Sequence, residues 1–115
     1  MHVLLVEDHD DTRDILSKLL TRWGYDVAST PSVEGARCFL ANFRFDILLS
    51  DIGLPDGDGL EVVAEAKGRR GIRKAVALTA HGDAADRKAG LRAGFDDYLT
   101  KPLDTLRLQA VLATS

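Results

Sequence analysis

The chain has 115 residues, of which 45% are hydrophobic and 29% are charged, an ordinary composition for one globular domain. Its formal net charge of −3 argues against independent binding of nucleic acid, because domains that bind it usually carry a basic patch. The single cysteine, Cys38, rules out an internal disulfide and is compatible with a reducing compartment. No apolar run approaches the roughly 18 residues of a membrane span, and no export signal follows Met1. We therefore expect one cytoplasmic domain over residues 1–115 that makes no membrane contact.

Hydrophobic periodicity predicts five strands that alternate with five helices. The predicted strands cover residues 2–6, 25–30, 47–51, 75–78 and 98–100. Asp10 or Asp11 is the predicted cap of the first helix, and the other helices are predicted to begin near Ser32, at Leu60, at Asp83 and at Asp104. The five helices end at Gly24, after Phe43, at Lys67, near Ala93 and at the terminus. On the second helix, Phe43 is expected on the buried side and Cys38 is expected to be a small packing residue.

This alternation favours an α/β fold, a doubly wound five-stranded parallel sheet with helices on both faces. The unbroken apolar run of Ile47, Leu48 and Leu49 lacks the polar alternation of a strand with one solvated face. It is typical of a central strand that is covered on both sides. In such sheets ligands bind beyond the carboxyl ends of the strands, so Asp51 stands where a functional site is expected. The glycine-rich loop that follows includes Asp56 and Asp58, either of which can cap the next helix.

Polar side chains follow four of the five predicted strands. Glu7 and Asp8 follow the first strand, Asp51 ends the third, Thr79 follows the fourth and Lys101 follows the fifth. Clustered carboxylates repel one another and raise each other's pKa, so such a group needs a cation. Magnesium prefers oxygen ligands and often joins one or two carboxylates to a phosphoryl group. The residues therefore predict a magnesium site suited to phosphate chemistry.

In this order and spacing, the motifs resemble the receiver domain of two-component response regulators. The matching segments are Val3-Leu4-Leu5-Val6-Glu7-Asp8, the stretch from Asp51 to Gly59, Thr79-Ala80 and Lys101-Pro102. The resemblance covers nearly the whole chain, and each segment lies at a predicted strand end, as a motif in its proper structural context should. It implies the flavodoxin-like receiver fold with sheet order 2-1-3-4-5.

The resemblance also implies a chemistry for the strand ends. Asp51 is the phosphoacceptor, which takes a phosphoryl group from the phosphohistidine of a histidine kinase or a histidine phosphotransfer domain. Asp8, Asp51 and the Gly53 carbonyl would hold magnesium, or manganese, and Glu7 would act through a metal-bound water. Thr79 and Lys101 would stabilise the phosphoryl group, because positioned donors and cations supply most of the catalysis in phosphoryl transfer. The domain would thus catalyse its own phosphorylation and dephosphorylation.

Four further residues take roles from the same resemblance. Tyr98 matches the switch aromatic, which acts with the Thr79 hydroxyl to change the face of the fourth and fifth helices. The bond before Pro102 is expected to be cis. Gly53 and His81 stand where family members tune the lifetime of the phosphoryl group; for Gly53 the alternative is a turn residue with positive φ.

Three other functions are weighed against this one. A flavodoxin-like electron carrier needs a hydroxyl- and amide-rich loop after the first strand, where this chain has acids. A haloacid-dehalogenase-type phosphatase needs a second Asp two residues after its nucleophile, where this chain has Gly53. A calcium loop counted from Asp51 or Asp56 lacks Gly at its sixth position and Glu at its twelfth.

The parent protein stays open at this point. The run from Val6 to Thr12 and the stretch from Ser50 to Gly59 resemble receivers at the C-terminal end of hybrid sensor histidine kinases. The alternatives are a single-domain regulator and a receiver cut from a DNA-binding response regulator.

Overall fold

The computed structural model describes residues 1–69, 72–79, 88, 92 and 94–113 of the chain. Within these residues there are seven strands and four helices. The strands are His2–Val6 (β1), Asp26–Thr30 (β2), Ile47–Asp51 (β3), Gly53–Leu54 (β4), Gly57–Asp58 (β5), Lys74–Thr79 (β6) and Asp97–Thr100 (β7). The helices are Asp10–Arg22 (α1), Val33–Asn42 (α2), Gly59–Lys67 (α3) and Thr105–Ala113 (α4).

Five of the strands form one parallel sheet in the order β2-β1-β3-β6-β7. Numbered along the chain without the small hairpin, this order is 2-1-3-4-5, which confirms the predicted doubly wound sheet. The hairpin consists of β4 and β5, which form a separate two-stranded antiparallel sheet directly after β3. The helix predicted for residues 83–93 lies outside the described residues, apart from positions 88 and 92.

The core has one layer on each face of the sheet, because successive strand residues point to opposite sides. Leu48 faces the layer that includes α2 and α3, while its neighbours Ile47 and Leu49 face the layer that includes α1 and α4. All three side chains are buried, as the apolar run predicts. The strand that ends at Asp51 is therefore a rigid central element, and it fixes the position of that carboxylate.

Two packing predictions for α2 are wrong. Phe43 is 63% exposed, because the helix ends at Asn42 and Phe43 has an extended backbone with φ −137°. Because Phe43 lies one residue beyond the end of the helix, its side chain does not follow the helical spacing that would place it on the buried side. Cys38 is exposed, since the buried face of the helix is formed by Ala36 and Leu40, between which Cys38 projects outward.

The helix starts are capped by side chains. Asp58 caps α3 by accepting a hydrogen bond from the Glu61 N–H at 3.1 Å. The predicted cap of α1 is wrong: the capping residue is His9, whose ring accepts from the Thr12 N–H, and Asp10 lies in the first turn. A carboxylate in that turn still interacts favourably with the helix dipole. None of the described helices combines the length and apolar character needed to cross a bilayer.

Candidate functional site

The strand registers bring the predicted site residues to one edge of the sheet. Val6 pairs with Ser50, so Glu7 and Asp8 emerge beside Asp51. In the next ladder Asp51 pairs with Leu78, and the following residue is Thr79. Lys101 directly follows β7 and donates its backbone N–H to the Thr79 carbonyl oxygen at 2.7 Å. Residues from four strand ends therefore lie along the same edge.

Three carboxylates form the centre of this edge. Ligand oxygens of Glu7, Asp8 and Asp51 all lie within 4.8 Å of one another. Glu7 is fully buried and Asp51 is 4% exposed, whereas Asp8 faces solvent. The cluster is thus closed on the sheet side and reachable from the Asp8 side. Oxygen ligands of this kind suit a hard divalent cation.

Lys101 places its ammonium group against both buried acids. Its Nζ lies 2.6 Å from Glu7 Oε1 and 2.8 Å from Asp51 Oδ1. The Lys101–Pro102 peptide bond is cis, as expected from the resemblance. The ammonium group offsets part of the negative charge of the three carboxylates.

Burial raises the pKa of Asp51, because the carboxylate loses hydration inside the protein. The hydrogen bond and charge of Lys101 and the Asp8 backbone N–H oppose this effect and lower the same pKa. The balance leaves the ionised form of Asp51 less stable than in water. A bound divalent cation would reverse that balance.

The second oxygen of Glu7 provides an independent test of whether a cation fits. Glu7 Oε2 is buried and has no hydrogen-bond partner among the described residues. A buried carboxylate oxygen that lacks a partner is costly, and in native proteins such atoms usually contact water or an ion. The residues present therefore fit a metal ion whose bound water reaches Glu7.

The remaining predicted residues occupy different parts of the site region. Thr79 ends β6 and is 7% exposed. Tyr98 is 5% exposed and belongs to the core layer of α2 and α3, on the sheet face opposite α4. His81 lies outside the described residues.

Gly53 follows Asp51 by two residues at the start of β4. Its φ is not positive, so the turn explanation for this glycine is wrong. A Cβ built at Gly53 would meet no heavy atom of the described residues within 4 Å. As far as the described part of the chain shows, the space where a side chain at Gly53 would project is open.

Three residues near the site make contacts that the sequence analysis does not predict. Gly59 approaches the strand so closely that a Cβ there would collide with the Asp51 carbonyl oxygen. Arg13 donates from its guanidinium to the Glu7 carbonyl oxygen at 2.9 Å and thereby supports the loop after β1. The Asp56 carboxylate accepts hydrogen bonds from the first turn of α2, while Asp58, the other predicted candidate, caps the next helix. These contacts join separate elements, so no local sequence pattern indicates them.

Comparison with protein families gives a match over almost the whole chain. The family model of the response regulator receiver domain matches residues 3–113. The chain is 39% identical over 110 residues to a 14.6 kDa protein of Leptolyngbya boryana, covering 94% of this chain and 84% of that protein. It is 38% identical over 112 residues to the response regulator protein PilR of Pseudomonas aeruginosa, covering 97% of this chain. The chain spans 25% of the length of PilR.

Solved structures show the same relationship. The receiver domain of the sensor histidine kinase PA1611 from Pseudomonas aeruginosa, with a magnesium ion coordinated in its active site cleft, superposes with a TM-score of 0.85 at 33% identity. That match covers 96% of this chain and 93% of the other. A CheY-like receiver domain protein from Methanospirillum hungatei superposes with a TM-score of 0.90 at 28% identity, covering 97% and 90%. The chain belongs to the response regulator receiver domain family and is a receiver domain of two-component signalling.

Proposed function

We propose that this domain accepts a phosphoryl group on Asp51 from the phosphohistidine of a histidine kinase or a histidine phosphotransfer domain, with magnesium or manganese as cofactor. One observation carries the proposal: the buried Asp51 carboxylate contacts Lys101 inside a cluster of acids that fits a cation. Asp8, Asp51 and the Gly53 carbonyl would hold the metal, and Glu7 would bind one of its waters. When bound, the metal supplies positive charge that offsets the carboxylates and the phosphoryl oxygens.

The transfer itself is a displacement at phosphorus. A carboxylate oxygen of Asp51 forms the new O–P bond, the N–P bond of the phosphohistidine breaks, and the imidazole leaves with the bonding electron pair. Lys101 and the Thr79 hydroxyl stabilise the negative charge spread over the phosphoryl oxygens. Lys101 already lies 2.8 Å from Asp51, so little reorganisation is needed. The flavodoxin-like and phosphatase alternatives are not favoured by the family match.

Other parts of the proposal concern the setting of the domain. Residues 1–115 form one receiver unit that acts in the cytoplasm, without contacting nucleic acid or membrane itself. PA1611 is a sensor histidine kinase and PilR is a response regulator, so both kinds of parent protein occur among the relatives. The output is a change in the face of the predicted fourth and fifth helices, with Thr79 and Tyr98 as the switch pair.

The test is a mass measurement on the intact chain. After incubation with magnesium and a small acyl phosphate, the wild type should gain the mass of one phosphoryl group, and omission of magnesium should prevent the gain. Asp51→Asn should gain nothing. Asp26→Asn, a control at an exposed acid near the amino end of β2, should be labelled like the wild type. Equal labelling of Asp51→Asn would contradict the proposal.

A further inference from the structure

The tip of the β4–β5 hairpin is tied to a distant helix by one side chain. Asp56 Oδ1 accepts a hydrogen bond from the Val33 N–H at 2.8 Å, and Oδ2 accepts one from the Glu34 N–H at 3.0 Å. Both N–H groups belong to the first turn of α2, where they have no partner within the helix. These two hydrogen bonds hold the pKa of Asp56 below its ordinary value. The carboxylate is therefore well bound although it lies at the surface.

The helix does not depend on Asp56 for its cap. Ser32 is the N-cap of α2, and its hydroxyl oxygen accepts from the Gly35 N–H at 3.0 Å. A single N-cap of this type is the usual arrangement for a helix start. The additional carboxylate from the hairpin thus does more than terminate α2. It joins the hairpin to the helix.

The hairpin is held by its base, by its tip and by Leu54, which packs partly buried against the core layer of α2 and α3. Its ladder has only two residue pairs, Gly53 with Asp58 and Leu54 with Gly57. A two-stranded ladder of this length is marginal in water. At its base, the Gly59 N–H donates to the Ile52 carbonyl oxygen at 2.7 Å. At its tip, Asp56 joins the hairpin to the first turn of α2 through two hydrogen bonds, so this contact orients the tip relative to the helix.

We propose that Asp56 is a positioning residue for the metal site, which holds the hairpin so that the Gly53 carbonyl stays beside Asp51. This inference rests on the proposed function, in which that carbonyl is a metal ligand. Loss of the tie leaves the tip of the hairpin less ordered, and magnesium must then order it on binding, which weakens the affinity. The coupling is reciprocal, so magnesium should in turn protect the hairpin.

Calorimetric titration of the 115-residue chain with magnesium tests the proposal. Asp56→Ala should raise the Kd for magnesium about fivefold, because two hydrogen bonds to a charged acceptor are lost. Asp56→Asn, which keeps one acceptor oxygen, should lie between Asp56→Ala and the wild type. Each of two control variants reproduces one feature of Asp56→Ala. Ser32→Ala removes the side chain that caps α2, and Glu34→Gln removes one negative charge from the first turn of α2. Both should change the Kd by less than about twofold.

Amide hydrogen exchange gives a readout that does not depend on affinity. In metal-free Asp56→Ala, the amides of Leu54 and Gly57, which pair across the ladder, should exchange faster than in the wild type, and magnesium should restore most of the protection. An unchanged Kd in Asp56→Ala, or an equal weakening in Ser32→Ala, would overturn the positioning role while leaving the proposed function intact. Failure of the wild type itself to bind magnesium would instead overturn the metal site, and this inference with it.

Discussion

Replacement of Lys101 by methionine removes the cation that joins the two buried acids. Lys101 Nζ contacts both Glu7 and Asp51, whose side chains are 0% and 6% exposed. The substitution keeps most of the side-chain volume but leaves two buried carboxylates without their shared partner. Removing one partner of a buried ion pair costs about 3–5 kcal/mol, and we expect about 3 kcal/mol here because the Lys101 side chain is 26% exposed. For a domain of this size that loss lowers the Tm by about 12 °C.

The assay is urea unfolding without metal and with saturating magnesium, in wild type and Lys101→Met. Magnesium brings positive charge to the same carboxylates, so the difference in unfolding free energy should shrink when it is present. Lys18→Met is the matched control, because Lys18 forms an exposed pair with Asp14 at 3.1 Å on the surface of α1. Its loss should cost less than about 0.5 kcal/mol.

The pH dependence follows from the pKa of Asp51. Burial raises this pKa, so the folded state binds more protons than the unfolded state between the ordinary value of 3.8 and the folded value. In the absence of metal, the contribution of Asp51 to the unfolding free energy therefore falls as the pH rises through that interval. Lys101 opposes the rise in pKa, so Lys101→Met should widen the interval and lose more stability at neutral pH than at about pH 4. This account of the site would be refuted if Lys101→Met, without metal, lost no more unfolding free energy than Lys18→Met. It would also be refuted if the loss in Lys101→Met did not depend on pH.

Two further predictions concern the phosphorylated state. Gly53→Met should fold normally, since φ at this position is not positive and no heavy atom of the described residues lies where the side chain would project. It should release phosphate more slowly than the wild type under saturating magnesium, because the methionine side chain shields the phosphoryl group from water. Gly68→Ala is the control at a glycine outside the site, and an unchanged release rate in Gly53→Met would reject shielding. For the switch, binding of a phosphoryl analogue should shift the amide resonances of Phe95 and Leu99 through Thr79 and Tyr98, and shifts confined to the loops around Asp8 and Asp51 would rule the switch out.

The sheet and the identity of the site could be predicted from the sequence because both depend on local patterns. The apolar run before Asp51 indicates a central strand, and parallel strands carry whatever follows them to one edge. The positions of Glu7, Thr79 and Lys101 then follow from topology alone. The cis bond before Pro102 came from the family resemblance, and no feature of the local sequence requires it.

The features that escaped prediction depend on contacts between elements or on where a helix stops. Phe43 continues the apolar spacing of α2, but one residue of extended backbone turns it to solvent. Asp56 follows Pro55 in a segment that reads as a turn, and only the packed structure brings it to α2, 23 residues away in sequence. His9 caps α1 although two aspartates directly beside it are stronger capping residues by type.

The central claim is that Asp51 carries the phosphoryl group, and peptide mapping tests it most directly. The chain should be phosphorylated in the presence of magnesium and reduced with borohydride, which converts an aspartyl phosphate to homoserine. It should then be digested and sequenced by tandem mass spectrometry. The account predicts homoserine at position 51 and unchanged aspartate at Asp8 and Asp56. Homoserine at another acid, with Asp51 intact, would contradict it.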